Sequence, residues 1–504
     1  MIRNNPRLEF RKGQPGVISF FLTESLFDNI IKTVKNMHAV EIIQKGENRI
    51  VYAGNGEKLS SLLMKNGFSA EHPCGGNGIC GKCTVSVNGE NQLSCRYVIK
   101  SDITVVLSEE TEIQLVTGVT ETKKMTANMC FAFDIGTTTL ALALVSLDEK
   151  KVVSTKTRTN PQRIFGADVM SRIDYCRKNG VRELHETIIS ALNQMTDETG
   201  VKAGKLFVSG NTAMLHMFFG TDCSAMGVSP YAPEFLESIS MKACDLSVKN
   251  VDEIISLPNI SAFVGADITA GLNFVGLPKK DKYNILVDLG TNAEIVLYSE
   301  KQLLGTAAAA GPCFEGANIS CGMSASDGAI YAYSAEKTQV IGDVCVKGIC
   351  ATGLVDIIAE FLKNEVIDET GYMNPEKVYL AENVFINQDD IRQFQLAKSA
   401  VYSGIITLMN MQGVSFSDID KVYIAGGFSS ALNIANAVTV GLLPVELQSK
   451  YVTLNNTSLS GTVNFACGEN DLSVYLENAK YVDLAENPMF SNLFIENMNF
   501  SFYE

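Results

Sequence analysis

The strongest constraint on the fold is a pattern written twice. "CFAFDIGTTTLALALVSL" runs from an apolar strand through Asp134 and a Gly136-Thr137-Thr138 turn into a second apolar strand. "YNILVDLGTNAEIVLYSE" repeats it with Asp288 and Gly290-Thr291-Asn292, 154 residues further on. Such a repeat predicts duplicated halves that face each other. In each hairpin, glycine lets the backbone approach a phosphate. Thr or Asn side chains and main-chain N–H groups can donate to its oxygens, and the Asp can hold Mg2+ directly or through water. One Asp-x-Gly-Thr is usually only a turn; two, each between apolar strands, point to phosphate binding. A third stretch, "KVYIAGGFSSALNIANAV", puts Gly426-Gly427 between a strand and a helix. There a diglycine lets the backbone pass close to a flat base or ribose.

A second signature lies upstream. "HPCGGNGICGKCTVSVNGENQLSC" spaces Cys74, Cys80, Cys83 and Cys95 as C-x5-C-x2-C-x11-C. A 2Fe-2S cluster takes four thiolates, three from a tight loop and one from a returning segment. Gly75, Gly76, Gly78 and Gly81 permit the tight loop, and Asn88-Gly89 predicts a hairpin that carries Cys95 back. Structural zinc also takes four cysteines, but it usually uses paired CxxC knuckles, and this segment has one. Before the loop, "AVEIIQKGENRIVYAG" reads as two strands and "EKLSSLLMKNGF" as a short amphipathic helix.

Composition narrows the partners. The 504 residues exceed one ordinary core, so two to four domains are expected. With 46% hydrophobic and 19% charged residues the chain reads as soluble and well buried. A net charge of −15 argues against nucleic acid, which needs a basic face. No apolar run approaches the roughly 18 residues that cross a bilayer, and Val17 to Leu22 lacks a small-residue cleavage site, so a cytoplasmic protein without signal peptide is expected. Thirteen cysteines suit reduced thiols or metal ligands better than a disulfide framework. Nine are scattered (Cys130, Cys176, Cys223, Cys244, Cys313, Cys321, Cys345, Cys350, Cys467), most of them expected as small buried hydrophobes. His38, His72, His185 and His216 form no ligand spacing.

The Asp134, Asp288 and Gly426 segments resemble the two phosphate motifs and the adenosine motif of the actin, sugar-kinase and Hsp70 ATPases. That resemblance implies two ribonuclease H-like halves, each a five-stranded mixed sheet with helices, with ATP and Mg2+ between. Residues 38–108 resemble a plant- or vertebrate-type 2Fe-2S ferredoxin of β-grasp fold. Together, over nearly the whole length, the chain resembles the ATP-dependent reductive activators of corrinoid proteins. The landmarks are "CGGNGICGKC", "DIGTTT", "NPQRIFGADVMSRI", "VSGNTAMLH", "FVGADITAG", "DLGTNAEI", "GPCFEGANI", "DIRQFQLAKSA" and "IAGGF". The resemblance implies an α/β and α+β multidomain chain: a 1–37 extension containing the helix-like "ESLFDNIIKTVKNM", a ferredoxin domain at 38–108 and a linker at 109–127. ATPase halves would follow at 128–283 and 284–504. It implies a corrinoid protein partner, an upstream electron donor and a homodimer. Cys313, "ICATGL" and Ser429 depart from the usual motif residues without removing a predicted ligand.

Several residues stay open at this level. Asp168 and Asp267 fit the cleft, where they would position Mg2+ or water, and equally helix-cap or loop roles. Asn211-Thr212 fits phosphate contact or an N-cap. Glu315 is a candidate nucleotide contact, His216 is expected to pack on its helix, and "DDIRQFQLAKSAVYSGIITLMNM" reads as interior scaffold. The implied chemistry explains why one chain carries both signatures. Plant-type clusters sit near about −400 mV, and each ~100 mV of deficit in reducing Co(II) to Co(I) costs about 2.3 kcal/mol per electron. ATP would supply that bias. A small-molecule kinase with a redox-sensing domain, an activator of another low-potential enzyme, and an electron-transfer scaffold are the alternatives.

Overall fold

The computed structural model describes residues 37–44, 47–66, 68, 83–107, 128–342, 344–468 and 476–500. The extension as far as residue 36, Cys74, Cys80 and the linker lie outside these residues. The described chain forms two compact units, one built from residues before 108 and one from residues after 127.

In the first unit, β1 (Met37–Gln44) and β2 (Glu47–Gly54) pair antiparallel, and α1 (Leu59–Lys65) follows. β3 (Thr84–Val87) and β4 (Glu90–Leu93) form a second hairpin, and β5 (Ile103–Val106) runs parallel to β1. The sheet order is β2-β1-β5-β3-β4. Alternation explains the packing. Val40, Ile42, Val51, Ala53, Val85 and Val87 turn to one face and bury against Leu59, Leu62 and Leu63. At the β3–β4 turn Asn88 and Gly89 have φ of 51° and 86°, the doubly positive geometry that Asn-Gly favours.

The second unit carries the repeat. Its first lobe opens with an antiparallel meander of β6 (Met129–Ile135), β7 (Thr139–Ser146) and β8 (Lys151–Thr159). It continues with α2 (Val169–Asn179), α3 (Arg182–Asp197), β9 (Ala203–Gly210), α4 (Thr212–Phe219), β10 (Ser240–Lys242), β11 (Val251–Ser256) and α5 (Ala266–Val275). The second lobe starts with the meander β12 (Tyr283–Leu289), β13 (Ala293–Tyr298) and β14 (Leu303–Ala308). A small sheet of β15 (Ala329–Tyr333), β16 (Thr338–Val340) and β17 (Gly348–Ile349) comes next. Then come α6 (Ala351–Lys363), β18 (Lys377–Ala381), β19 (Val384–Asn387), α7 (Gln388–Gln412), β20 (Ile419–Ala425) and α8 (Ile434–Thr439). β21 (Tyr451–Thr453), α9 (Thr457–Ala466), β22 (Ala479–Tyr481) and α10 (Pro488–Glu496) complete it.

The main sheets are ordered β10-β11-β9-β6-β7-β8 and β21-β20-β12-β13-β14-β22. Five strands of one superpose in order and direction on five of the other. The expected five-stranded sheet is thus a core to which each lobe adds an edge strand, β10 antiparallel to β11 and β22 parallel to β14. α7 lies in the second lobe's core, with Ile391, Phe394, Ala397, Val401, Ile405 and Leu408 buried, as its periodicity predicts.

α5 and α9 occupy matching places in the two lobes, each following the last core strand, and they cross. The crossing is close because Gly461 has no side chain: a Cβ there would lie 1.7 Å from the Ala270 carbonyl oxygen. Asn273 Nδ2 donates to the Gly461 carbonyl at 3.0 Å across it. α9 belongs to the second lobe by chain order, yet Val463, Leu459 and Phe465 pack with Cys130, Ala132, Val145 and Phe207 of the first.

Candidate functional site

The two repeated aspartates stand at equivalent points, each the sixth residue of its strand. Each hairpin is closed by its glycine N–H, but one residue apart in register: Gly136 donates to the Thr139 carbonyl, three residues on, and Gly290 to the Asn292 carbonyl, two residues on, each at 3.0 Å. A Cβ on Gly136 would meet the Thr139 carbonyl oxygen at 2.6 Å, so the first turn requires glycine. Behind each hairpin another glycine lets the neighbouring strand end come close. Gly426, at φ 110°, would put a Cβ 2.3 Å from the Leu289 carbonyl oxygen, and Gly210 would put one 2.8 Å from that of Ile135. Gly427 has open space beside it. Gly210 is the first-lobe counterpart of Gly426. Laying "VSGN" over "IAGG" in the repeat would have found it.

The environments of the two aspartates differ. Asp134 is 7% exposed and accepts from Asn456 Nδ2 and Ser458 Oγ, both at 2.7 Å, at the start of α9. Because Ser458 gives its only proton to the carboxylate, Ser209 must donate to Ser458 at 2.9 Å; Thr462 Oγ1 lies 2.7 Å from Ser209 Oγ and 2.8 Å from the Ser458 carbonyl, and its single proton is shared between them. This buried file of hydroxyls ends on Asp134. Burial raises its pKa, and the two donors pull it back. Asp288 faces the start of α5, which presents another acid, Asp267. Burial, then the charges of Asp288 and Asp134, push Asp267 up to about 7. Burial and Asp134 push Asp288 up to about 6. Glu294, across the strand pair from Asp288, is raised well above its ordinary value by burial, then by Asp267 and Asp288.

Among the described residues no trio of His, Cys, Asp or Glu forms a ready-made metal site. The donor set still fits Mg2+, a hard cation that usually takes one or two carboxylates and completes its shell with water and phosphate. It would also relieve the charge repulsion that adds to burial in raising these carboxyls.

Asp168 is the N-cap of α2, accepting from Ser171 N–H at 2.8 Å. Asn211 caps α4 through Met214 N–H at 2.9 Å and also donates to Thr137 Oγ1 at 3.2 Å, so it joins cap and hairpin. Thr212 Oγ1 donates to the Ser261 carbonyl. Glu315 sits by the second hairpin: burial raises its pKa, and hydrogen bonding from Thr291 opposes that. His216 is buried against Phe235, with ring centroids 4.1 Å apart, and its Nε2 accepts from Glu234 N–H at 3.0 Å. Asn456 and Ser458 escaped sequence reading, since no local pattern ties them to a residue more than 300 positions earlier. Asn160 and Arg172 also escaped, inside the quoted "NPQRIFGADVMSRI".

In the first unit, Cys83 and Cys95 are each 2% exposed and their sulfurs lie 3.2 Å apart. That exceeds the roughly 2.05 Å of a disulfide bond. Two buried thiols side by side suit ligation of one metal centre, and a 2Fe-2S cluster fits them. Of the nine scattered cysteines, Cys130, Cys176, Cys223, Cys313 and Cys350 are buried.

The duplicated lobes, crossed helices and paired hairpins define the second unit as an actin-like ATPase of the ASKHA class. Family models agree: "C-terminal domain of RACo the ASKHA domain" matches residues 282–503 and "RACo middle region" matches residues 129–280. The chain therefore belongs to the RACo family. It is 28% identical to the corrinoid activation enzyme RamQ of Eubacterium limosum, covering 73% of this chain and 70% of that protein. It is 25% identical to the Co(II) methylated amine-specific corrinoid protein reductase of Methanosarcina barkeri, covering 72% and 75%. Among solved structures it resembles a reductive activator for corrinoid, iron-sulfur protein, with a TM-score of 0.64 at 25% identity over 92% of this chain and 98% of that one.

Proposed function

We propose that this chain is an ATP-dependent reductive activator that returns a corrinoid protein from inactive Co(II) to Co(I). The observation that carries the reading is the buried Cys83–Cys95 pair, 3.2 Å apart, in a chain whose other unit is a two-lobed ATPase. The order β2-β1-β5-β3-β4 with α1 across one face supports reading residues 38–108 as a β-grasp ferredoxin domain. Cys83 and Cys95 would hold a 2Fe-2S cluster together with Cys74 and Cys80. When bound, that cluster supplies one low-potential electron at a time. The thiols' burial excludes water around their sulfurs, which favours retention of the bound group.

Residues 109–127 would link this domain to ATPase halves at 128–283 and 284–504. Asp134 and Asp288 position Mg2+ or its water. Gly136, Thr137, Thr138, Gly290, Thr291 and Asn292 hold phosphates, Gly426 and Gly427 pass the adenosine, and Glu315 steadies the second hairpin. Closure of the lobes on ATP changes affinity for the Co(II) partner, and by linkage the partner changes affinity for ATP. An upstream electron donor, a homodimer and a cytoplasmic setting complete the reading.

The test is anaerobic spectroscopy of the protein with reductant, Mg-ATP and a Co(II) corrinoid protein. The Co(I) band should grow with ATP and stay absent without it. Equal Co(I) yield in both reactions would overturn the reading.

A further inference from the structure

Arg172 heads the wholly buried side chains by size and is a cation with no hydrogen-bonded carboxylate among the described residues. Its Nη2 donates to the Thr137 carbonyl at 2.6 Å and its Nε to the Gly166 carbonyl at 2.9 Å. Nη1 lies 3.5 Å from Gln162 Oε1 and 3.3 Å from Met214 Sδ. Burial lowers its pKa to about 9, with Asp168 and Glu315 supplying opposing charge. Asn160, also wholly buried, takes the carbonyls on either side. Its Nδ2 donates to the Gly136 carbonyl and its N–H to the Thr138 carbonyl, both at 2.8 Å.

Three successive carbonyls of the first hairpin are therefore held from one side. In a trans peptide the N–H points opposite the C=O, so the N–H groups of Thr137 and Thr138 turn away from Asn160 and Arg172. Neither has an intramolecular acceptor among the described residues. Two outward N–H groups with a buried cation behind them favour an anion. The second hairpin lacks this backing: no side chain among the described residues donates to the carbonyls of Gly290 or Thr291.

We propose that Asn160 and Arg172 are positioning residues that preset the Gly136-Thr137-Thr138 hairpin as a fixed phosphate cradle, leaving the second hairpin to adjust as the lobes move. This rests on the reading of the second unit as an ATP site.

The experiment compares Mg-ATP with adenosine, which lacks phosphates, on the full-length protein. Arg172→Met should weaken Mg-ATP binding and raise its KM by about 10–100-fold, the order of loss seen when a residue that orients a binding group is removed, with kcat reduced far less and adenosine binding changed less than about 2-fold. Arg172→Lys keeps the charge but not the planar fork and should fall between. Equal losses for ATP and adenosine would mean that Arg172 only supports packing, and would overturn the proposal. Should Arg172→Met not fold, amide exchange on the wild-type protein decides. Thr137 and Thr138 amides should exchange fast when free and be slowed by Mg-ATP but not by adenosine; no difference between the ligands would overturn it. Failure of the wild-type protein to bind Mg-ATP would instead remove the nucleotide reading, and the clamp with it.

Discussion

Asp134 and Asp288 share a strand position but not an environment. Two serine hydroxyls in series donate toward Asp134, whereas Asp288 confronts Asp267. Replacing either with Asn should lower Mg-ATP hydrolysis by about 100-fold or more while leaving the visible spectrum of the reconstituted protein unchanged; normal hydrolysis in both variants would move the site elsewhere. The raised carboxyls also make a stability prediction. Asp267 binds its proton up to about pH 7 and Asp288 up to about pH 6, while unfolded carboxyls titrate near 4. The folded state holds more protons in that window, so their contribution to stability falls as pH rises from about 4 to about 7 and stays low above it. Asp267→Asn should therefore stabilise the nucleotide-free protein at pH 8, by an order of 1–2 kcal/mol after allowing for solvent screening of a half-buried group. It should do little at pH 4. Urea unfolding at the two pH values checks this, and an equal effect at both would count against the carboxyl repulsion.

The hairpins were legible in the sequence because their information is local: an apolar strand, Asp, a Gly-Thr turn, an apolar strand. The same holds for α7, whose apolar periodicity alone places it inside, and for the Asn88-Gly89 turn. The crossing of α5 and α9 was not legible. It depends on Gly461 meeting Ala270, a contact across nearly two hundred residues that leaves no periodic trace. Arg172 was missed for another reason: arginine on an amphipathic helix normally marks the solvent face, and only the fold shows that this one points inward. Cys74 and Cys80 lie outside the described residues, so half of the expected ligand set rests on spacing alone. The element scale carries its own test. Gly461→Ala would drive a Cβ to 1.7 Å from a backbone oxygen that belongs to another helix, and no rotamer can relieve it. The expected loss is about 3 kcal/mol or more, read as a shift of the urea midpoint. A shift under about 0.5 kcal/mol would mean that the helices cross less tightly than described.

At the scale of the molecule, the proposed function puts the electron path and the energy input in different units, so the two can be damaged separately. Cys83→Ser should still hydrolyse ATP yet yield no Co(I), and Asp288→Asn should keep a reducible chromophore yet also yield no Co(I). Co(I) formation by either variant at the wild-type rate would break the proposed division of labour. The placement of α9 bears on how such a chain is made. The first lobe's sheet is complete once Ser256 has been synthesised, but the cover for Cys130, Ala132, Val145 and Phe207 arrives only with Leu459, Val463 and Phe465. At about 5–20 residues per second, that apolar face waits on the order of ten seconds or more on the ribosome. A nascent chain of this design carries an unfinished surface through the making of its entire second lobe, and its closing helix is also the one that sets Ser458 against Asp134. The nucleotide cleft is therefore among the last features to form, and a chain that stops early cannot leave a half-working ATPase behind.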